Sequence, residues 1–463
     1  MSKRRRNKIP EGLFKADIES LSHEGRGIAH IEGKTVFIEN ALPGEQVEFK
    51  YVSKRAKFDQ GVAENIITAN EQRIEPECQF FGYCGGCSLQ HMKPDAQLAH
   101  KQSVLLEQFM HLGNVEPESI LPPLEGPSFG YRHKARLAVK HVIKKEKVLV
   151  GFREKRSPYV ADIMECKVLH PNVGLKFTAL QQLVESLSNY NQIPQIEAAV
   201  SDNGTALVLR HLSDFTDEDI TKLNAFEDEH QLKLFLQPGG YDSVHRLKKN
   251  DEETLFYKLD DHDITIYFKP VDFTQINVEI NKKMLNLTIE LLEPNTDENI
   301  LDLFCGVGNF TLPIARKAKT VVGIEGDQGL VERAKNNATI NQIDNVAFFT
   351  ADLAELDRSN EFMKGSYDKI LLDPARTGAK EIIDALNTKN VKRIVYVSCN
   401  PATLARDAGI LVNEKGFKLT KAGVMDMFPH TTHVESIAVF DFKGTIIVLF
   451  VTCINGLRRD REK

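Results

Sequence analysis

The chain has 463 residues, 42% of them hydrophobic and 27% charged, and its net charge is −6, which indicates a soluble globular protein of about two to four domains. The longest late apolar run, residues 445–454, is too short to span a bilayer, and no apolar segment follows the basic N-terminus. Together with an odd number of seven cysteines, this argues against a signal peptide, a membrane partner and a disulfide framework, so we expect a cytoplasmic protein.

The N-terminal region, residues 1–71, is predicted to form a small β-barrel. Short runs of alternating apolar and polar residues, separated by turn residues, are typical of such barrels, and an OB-like barrel is the simplest of them. Barrels of this kind often bind RNA, although some are only structural. Basic residues cluster in the first third of the chain, at residues 1–8, 50–57, 131–136 and 151–156. Each cluster alone would be a solvated face, but their shared location favours a polyanion partner.

Residues 72–268 are predicted to form a central antiparallel α+β domain. A cysteine-rich segment opens it, and an amphipathic helix follows at residues 95–113. Residues of about 95–127 belong either here or to the surface of the next domain.

Four cysteines in this region form a candidate metal site: Cys78, Cys84, Cys87 and Cys166. Four thiolates suit either zinc or an iron–sulfur cluster. Structural zinc usually takes its ligands from two close pairs, whereas a tight C-x5-C-x2-C triad with one remote cysteine is closer to iron–sulfur spacing. The alternative is a set of buried thiols without a ligand. Cys305 and Cys453 have no evident partners and are assigned to packing.

From residue 269 to residue 443 the chain alternates strands and helices, which predicts a doubly wound α/β sheet with helices on both faces. Its first turn, "LDLFCGVGNF", places Gly306 and Gly308 at the opening of a helix, where backbone can approach a ligand closely. Glu325 ends the next strand and Asp352 the one after. A glycine turn with acids after successive strands fits S-adenosyl-methionine better than NAD, because no full G-x-G-x-x-G is present. A domain without a ligand is the alternative.

Two later strand ends carry reactive groups. Asp373 closes the strand of "LLDPAR", where methyltransferases that act on nucleic-acid bases often have a related motif. Cys399 ends the strand of "VYVSC", and Pro401 forces the turn after it open. By position alone Cys399 would be a packing residue. Methylation of a pyrimidine at C5, however, requires a thiolate that adds to C6 and a base that later removes the C5 proton, and Glu435 in "HTTHVESIAVF" is suited to be that base.

The motifs "LDLFCGVGNFTLP", "LLDPAR", "VSCNPATLARD" and "HVE", in this order, resemble the RNA (uracil-C5)-methyltransferases, and the resemblance extends to about residue 441. It implies that Cys399 is the nucleophile and Glu435 the base. It also implies six contacts to S-adenosyl-methionine: Gln275, Phe304, Asn309, Glu325, Asp352 and Asp373. Residues 444–463 extend beyond the usual end of this family and form a tail of unclear role.

Two features place the chain within the family. Some members carry a [4Fe–4S] cluster at cysteines spaced like these, and residues near the N-terminus resemble a TRAM domain. Together they favour the members that methylate a uridine of 23S ribosomal RNA, and we expect a monomer. A transfer-RNA uridine, another ribosomal uridine or two ribosomal sites stay open. A noncatalytic iron–sulfur assembly factor is the alternative from another class, but it would have no chemical need for Cys399 and Glu435.

Overall fold

The computed structural model of this chain describes residues 9–248, 254–353, 355 and 361–444. The basic residues 1–8, the tail after residue 444 and Cys453 lie outside these ranges, and so do the expectations made for them. Within these ranges, no helix has both the length and the apolar character to cross a membrane.

The N-terminal strands form a six-stranded sheet in the order β1-β5-β6-β4-β3-β2. Its strands are β1 (Phe14–Asp17), β2 (Ser20–Leu21), β3 (Gly27–Ile31), β4 (Lys34–Glu39), β5 (Gln46–Lys54) and β6 (Phe58–Thr68). β1 pairs with β5, while β2, directly after it in the chain, pairs with β3, so the sheet closes on itself. Alternate residues such as Val36, Ile38, Val47 and Phe49 fill the interior, as the period of two predicts.

A connecting segment follows, with helix α1 (Pro94–Gln108) and the short strand β7 (Ser119–Ile120). The central sheet then comprises β8 (Lys134–Val142), β9 (Lys147–Gly151), β10 (Gln195–Ser201), β11 (Gly204–Arg210), β12 (Lys233–Gln237) and β13 (His245–Arg246). Its helices are α2 (Pro171–Gly174), α3 (Phe177–Ser186) and α4 (Asp217–His230). Its order is β13-β12-β11-β10-β8-β9. The sheet is antiparallel as predicted, except that β11 and β12 are parallel, because α4 crosses over between them.

The C-terminal part begins with the hairpin β14 (Leu255–Leu259) and β15 (Ile264–Phe268). Its helices are α5 (Val278–Leu292), α6 (Thr311–Ala315), α7 (Gln328–Ile340), α8 (Lys380–Ala385) and α9 (Pro401–Asn413). Its strands are β16 (Asn299–Leu303), β17 (Thr320–Glu325), β18 (Val346–Thr350), β19 (Lys369–Leu372), β20 (Arg393–Ser398), β21 (Phe417–Met425) and β22 (Glu435–Phe442).

These strands and β7 form an eight-stranded sheet in the order β18-β17-β16-β19-β20-β22-β21-β7. Apolar clusters cover both faces, one built with α5, α6, α7 and the hairpin, the other with α1, α8 and α9, which confirms the doubly wound domain. In sheet order, the five neighbouring strands β18, β17, β16, β19 and β20 are parallel, so their carboxyl ends meet at one edge. β22 runs antiparallel to β20 and therefore brings its amino end to that same edge. This is the edge at which the sequence predicts the reactive residues.

Candidate active site

Cys399 and Glu435 lie at the same point of this edge, on adjacent strands. In the antiparallel pairing of β20 with β22, Ser398 is opposite Ser436. Cys399 and Glu435 are the next opposed residues in that register, one directly after β20 and the other at the start of β22. The pairing of two strands thus brings together a thiol and a carboxyl group that are distant in the sequence.

The turn that holds Cys399 is built by its two neighbours. Asn400 caps helix α9, since its side chain accepts a hydrogen bond from the backbone N–H of Ala402 at 3.1 Å, and Pro401 is the first helical residue. The Asn400 side-chain amide also donates to the backbone carbonyl of Arg376 at 2.9 Å. The loop after β19 is therefore joined to the loop after β20, and Arg376 is held beside the thiol.

The electrostatics of the pair come mainly from burial. The pKa of Cys399 is raised to about 11, chiefly by burial and then by the charges of Glu435 and Asp373, while the Arg376 guanidinium lowers it. Glu435 is only 3% exposed, and burial, followed by the charge of Asp373, raises its pKa well above the usual range. A thiol, a carboxyl group and a nearby cation that influence one another's charge are therefore collected at one strand end.

Two further acids extend this site along the edge. Burial raises the pKa of Asp373, which follows β19, to about 7, and the charge of Asp302 adds to it. Asp302, inside β16, is fully buried and accepts a hydrogen bond from the Thr311 hydroxyl at 2.5 Å; burial also raises its pKa to about 7. In sheet order the row reads Glu325, Asp302, Asp373, Cys399 and Glu435. Sequence reasoning gave Asp302 no role, although an acid inside the apolar run "NILDLF" was a usable signal.

The glycine turn after β16 has the open backbone that a ligand requires. Phe304, Gly306 and Gly308 have φ angles of 68°, 55° and 92°. A Cβ atom built on Gly306 would meet no atom within 4 Å, so the face of the turn is open. The Gly306 N–H donates to Glu325 Oε2 at 3.1 Å, which joins the turn to the end of β17. An open backbone turn beside a row of acids fits a cationic adenosyl cofactor.

Gln275 lies on one wall of a neighbouring cavity of about 250 Å³, between the central sheet and α5. Gln275, Tyr257 and Asn281 line the cavity. Asn309 is bound to that wall, because it exchanges side-chain hydrogen bonds with Asn281 at 3.0 and 3.1 Å and accepts one from the Tyr257 hydroxyl at 2.8 Å. Asp352 is exposed and follows β18, at the far end of the edge from Cys399.

The two histidines near Glu435 occupy different environments. His430 and His433 precede Glu435 in "HTTHVE", a pattern that favours histidines which position the carboxyl group or bind phosphate. His430 is 2% exposed and its Nδ1 lies 3.3 Å from the Gln97 amide nitrogen, so it cannot reach a phosphate in this conformation. His433 is exposed, with Nδ1 3.4 Å from an Arg376 guanidinium nitrogen.

The four cysteines predicted as ligands line one cavity of about 240 Å³, together with aromatic and glycine residues. Burial raises the pKa of Cys84 to about 11 and that of Cys87 to about 12, and the nearby thiols of Cys78 and Cys166 add to both shifts. Within the described ranges no group of three or more ligating side chains is close enough to hold one metal ion, which needs sulfur atoms about 2.3 Å from a shared centre. Four thiols around one cavity are a donor set that both zinc and an iron–sulfur cluster take in proteins.

Two of the basic clusters for which the sequence predicts a polyanion partner, residues 131–136 and 151–156, make contacts within the protein. The ammonium nitrogen of Lys134 is buried, which contradicts the expectation of a solvated basic face there. Other basic side chains in these segments form ion pairs: Arg136 pairs with Glu197, and Lys155 and Arg156 pair with Glu39. Arg153 stays exposed.

Comparison with known proteins gives consistent matches. Residues 95–442 match the family model described as tRNA (Uracil-5-)-methyltransferase, and residues 14–50 match the TRAM domain. A protein of Hahella chejuensis is 52% identical over 443 residues, which are 95% of this chain and 99% of that protein. A protein of Francisella tularensis subsp. novicida is 51% identical over 444 residues, again 95% and 99%. Both are named 23S rRNA (uracil(1939)-C(5))-methyltransferase RlmD.

Among solved structures, the tRNA (uracil-54, C5)-methyltransferase of Pyrococcus abyssi, in complex with S-adenosyl-L-homocysteine, is similar with a TM-score of 0.70. The match covers 92% of this chain and 100% of that one at 23% identity. At this identity the likeness concerns the fold alone.

Proposed function

Because this chain belongs to the RNA uracil-5-methyltransferase family, we propose that it methylates C5 of uracil 1939 in 23S ribosomal RNA with S-adenosyl-methionine as methyl donor. The observation that carries the chemistry is the placement of Cys399 opposite Glu435 at the edge that also holds the glycine turn and the acids. The target follows the relatives, which are about half identical over almost their whole length and bear the name of that reaction.

In this proposal Cys399 acts first. As a thiolate it adds to C6 of the uracil ring, a carbon–sulfur bond forms, and the displaced electron pair makes C5 nucleophilic. S-adenosyl-methionine would supply an electrophilic methyl group on a cationic sulfur, whose charge complements the row of acids. C5 takes this methyl group as its bond to sulfur breaks, and S-adenosyl-homocysteine is the leaving group. C5, now bonded to both a hydrogen and the new methyl group, gives its proton to the Glu435 carboxylate. The C5–C6 double bond re-forms as the C6–sulfur bond breaks, which returns the thiolate.

The neighbours of the pair support these roles. The Arg376 guanidinium lowers the pKa of Cys399 and so favours the nucleophilic thiolate, against burial and two nearby acids. Glu435 is buried, so a proton taken from carbon stays out of bulk water until the enzyme resets. We assign the cofactor contacts to the predicted set, of which Glu325 and Asp373 lie in the acidic row, Gln275 lies at the cavity wall and Asn309 is bound to that wall.

We further propose that Cys78, Cys84, Cys87 and Cys166 hold a [4Fe–4S] cluster. The shared cavity and its four thiols support this assignment. Burial and mutual repulsion oppose thiolates there, and bonds to iron would offset that cost. The methylation transfers no net electrons, so the cluster would be structural. We assign RNA contact to the TRAM barrel, cytoplasmic location to the whole protein, and a monomeric active form.

The experiment is a methylation assay with two substrates of equal length. One transcript carries the region of 23S ribosomal RNA around uracil 1939, and the other is a transfer RNA with its unmodified uracil 54. The expected result is 5-methyluridine at position 1939 and none in the transfer RNA. Methylation of only the transfer RNA would overturn the proposed target, and no methylation of either would overturn the activity.

A further inference from the structure

The loop of residues 426–434, between β21 and β22, leads directly into Glu435, and most of its residues are buried. Asp426 is 5% exposed, Met427 is 0%, and His430 is 2%. His430 has a φ of 64°, a left-handed conformation that a side-chain-bearing residue adopts only when its surroundings hold it there. The position of Glu435 therefore depends on whatever holds this loop.

Two polar side chains one turn apart on helix α1 hold it from one side. Gln97 and Lys101 are each 1% exposed, on the face of the helix that packs against the loop. The Lys101 ammonium donates to Asp426 Oδ1 at 2.7 Å and to the backbone carbonyl of Phe428 at 2.9 Å. It thus fixes both a side chain and the backbone of the loop.

Gln97 holds the strained residue. Its side-chain oxygen accepts the N–H of His430 at 2.8 Å. Its amide nitrogen donates to the carbonyls of Leu89 and Met92 at 3.1 and 2.8 Å, so that Gln97 also connects the segment after the cysteines. That segment in turn donates the N–H groups of Ser88 and Leu89 to the carbonyl of His430, each at 2.9 Å. His430 is therefore bound through both its N–H and its C=O groups.

Apolar side chains on α1 would bury this loop equally well, but they would not fix the positions of its backbone groups. A buried ammonium or amide group fixes these positions, because a shift of the loop by one residue would leave the polar groups without hydrogen-bond partners. The choice of polar residues at two buried positions of α1 thus has a geometric result at Glu435, the residue to which the loop leads.

We propose that Gln97 and Lys101 are positioning residues that hold the 426–434 loop so that Glu435 faces Cys399, and that their loss slows removal of the C5 proton. This inference rests on the proposed function. In the proposed reaction the proton leaves after methyl transfer, while the RNA is still bonded to Cys399. A displaced Glu435 therefore leaves a methylated covalent complex that forms but resolves slowly.

The test compares Lys101→Met with Gln97→Met under single turnover, using the 23S transcript and S-adenosyl-methionine. The covalent complex is measured on denaturing gels and free 5-methyluridine by digestion. We expect the complex to form at the wild-type rate and with the wild-type dependence on RNA concentration, but to resolve about 10- to 100-fold more slowly, because a displaced base affects a step after binding and methyl transfer. If Lys101→Met fails to fold, Gln97→Met, which removes no charge, carries the test.

The matched control is Arg246→Met, which breaks another buried ion pair, with Glu227, in the central sheet away from this loop. It should lower stability without accumulating the complex. Lower activity of both α1 variants with no accumulated complex, or equal accumulation in Arg246→Met, would overturn the positioning role. Failure of Glu435→Gln itself to accumulate the complex would instead overturn the part of the proposed function that makes Glu435 the base, so the two failures are distinguishable.

Discussion

The catalytic edge and the cysteine cavity are both sites that bring together residues from distant parts of the chain, but they do so differently. At the edge, each group follows, begins or lies within a strand, and the strand register sets Cys399 opposite Glu435. Around the cavity, the thiols come from segments outside named strands and helices, at residues 78–87 and at Cys166. The edge is therefore organised by backbone hydrogen bonds between strands, whereas the cysteine cavity is formed by loop segments.

The two regions are nevertheless connected. Ser88 and Leu89, which follow the cysteine triad directly, donate to the carbonyl of His430 in the loop that leads to Glu435. The Gly25 turn of the barrel also lies against Leu89 and Thr432, since a Cβ on Gly25 would fall within 2.8 Å of both. A change in the cavity can therefore reach the base through a short series of contacts, while the strand register stays intact.

The largest expected effect is at the edge. Glu435→Gln should leave methyl transfer intact and slow release of the product about 10²- to 10⁴-fold, because the amide cannot take the C5 proton. Gel analysis of the methylated covalent complex measures this. Glu414→Gln, at an exposed position after α9, is the control and should turn over normally. Normal release by Glu435→Gln would show that the base is another residue.

The second effect belongs to the cavity. Protein purified without oxygen should contain about four irons, and Cys84→Ser should lose them and unfold at a lower temperature, because three thiolates cannot hold the cluster equally well. Iron analysis and thermal melting measure both. Cys305→Ser, at a buried cysteine outside the cavity, should keep its iron. A colourless wild-type protein loaded with zinc would contradict the assignment.

A smaller effect should come from the cation at the edge. Arg376→Met removes the charge that lowers the pKa of Cys399, and each unit of increase reduces the thiolate fraction about tenfold. The rate of covalent complex formation at pH 8 should therefore fall and recover as the pH rises. Arg376→Lys should keep most of the rate. Equal rates for Arg376→Met and the wild type across pH would show that Arg376 does not favour the thiolate of Cys399.

The smallest effect is the pH dependence of folding stability. Burial raises the pKa of Asp302 to about 7, so the folded protein holds this proton more tightly than the unfolded chain does. Its contribution to stability is present below about pH 4 and is lost as the pH rises to about 7. Asp302→Asn should show a shallower loss of stability between pH 5 and 8 in urea unfolding. An identical slope would mean that Asp302 is ionised at neutral pH.

The residues at the catalytic edge could be predicted from the sequence more completely than the residues and strand pairings that hold them in place. Acids and a cysteine after successive apolar runs indicate a shared edge, because parallel strands end together, and the structure places them there. The antiparallel entry of β22 beside β20 is a long-range pairing that local pattern cannot give. Gln97 and Lys101 were also missed, because polar residues in an amphipathic helix are expected to face water unless a partner elsewhere in the chain is known. The parallel pairing of β11 with β12 was missed because, like that of β22 with β20, it is a long-range pairing.

The central claim is the transient bond between Cys399 and uracil, and a transcript containing 5-fluorouridine at position 1939 tests it most directly. Fluorine at C5 leaves no proton to remove, so after methyl transfer the complex cannot resolve. Mass mapping of the trapped protein should find the RNA on the peptide that contains Cys399, and Cys399→Ala should trap none. A complex that forms through another residue, or none at all with active enzyme, would contradict the account.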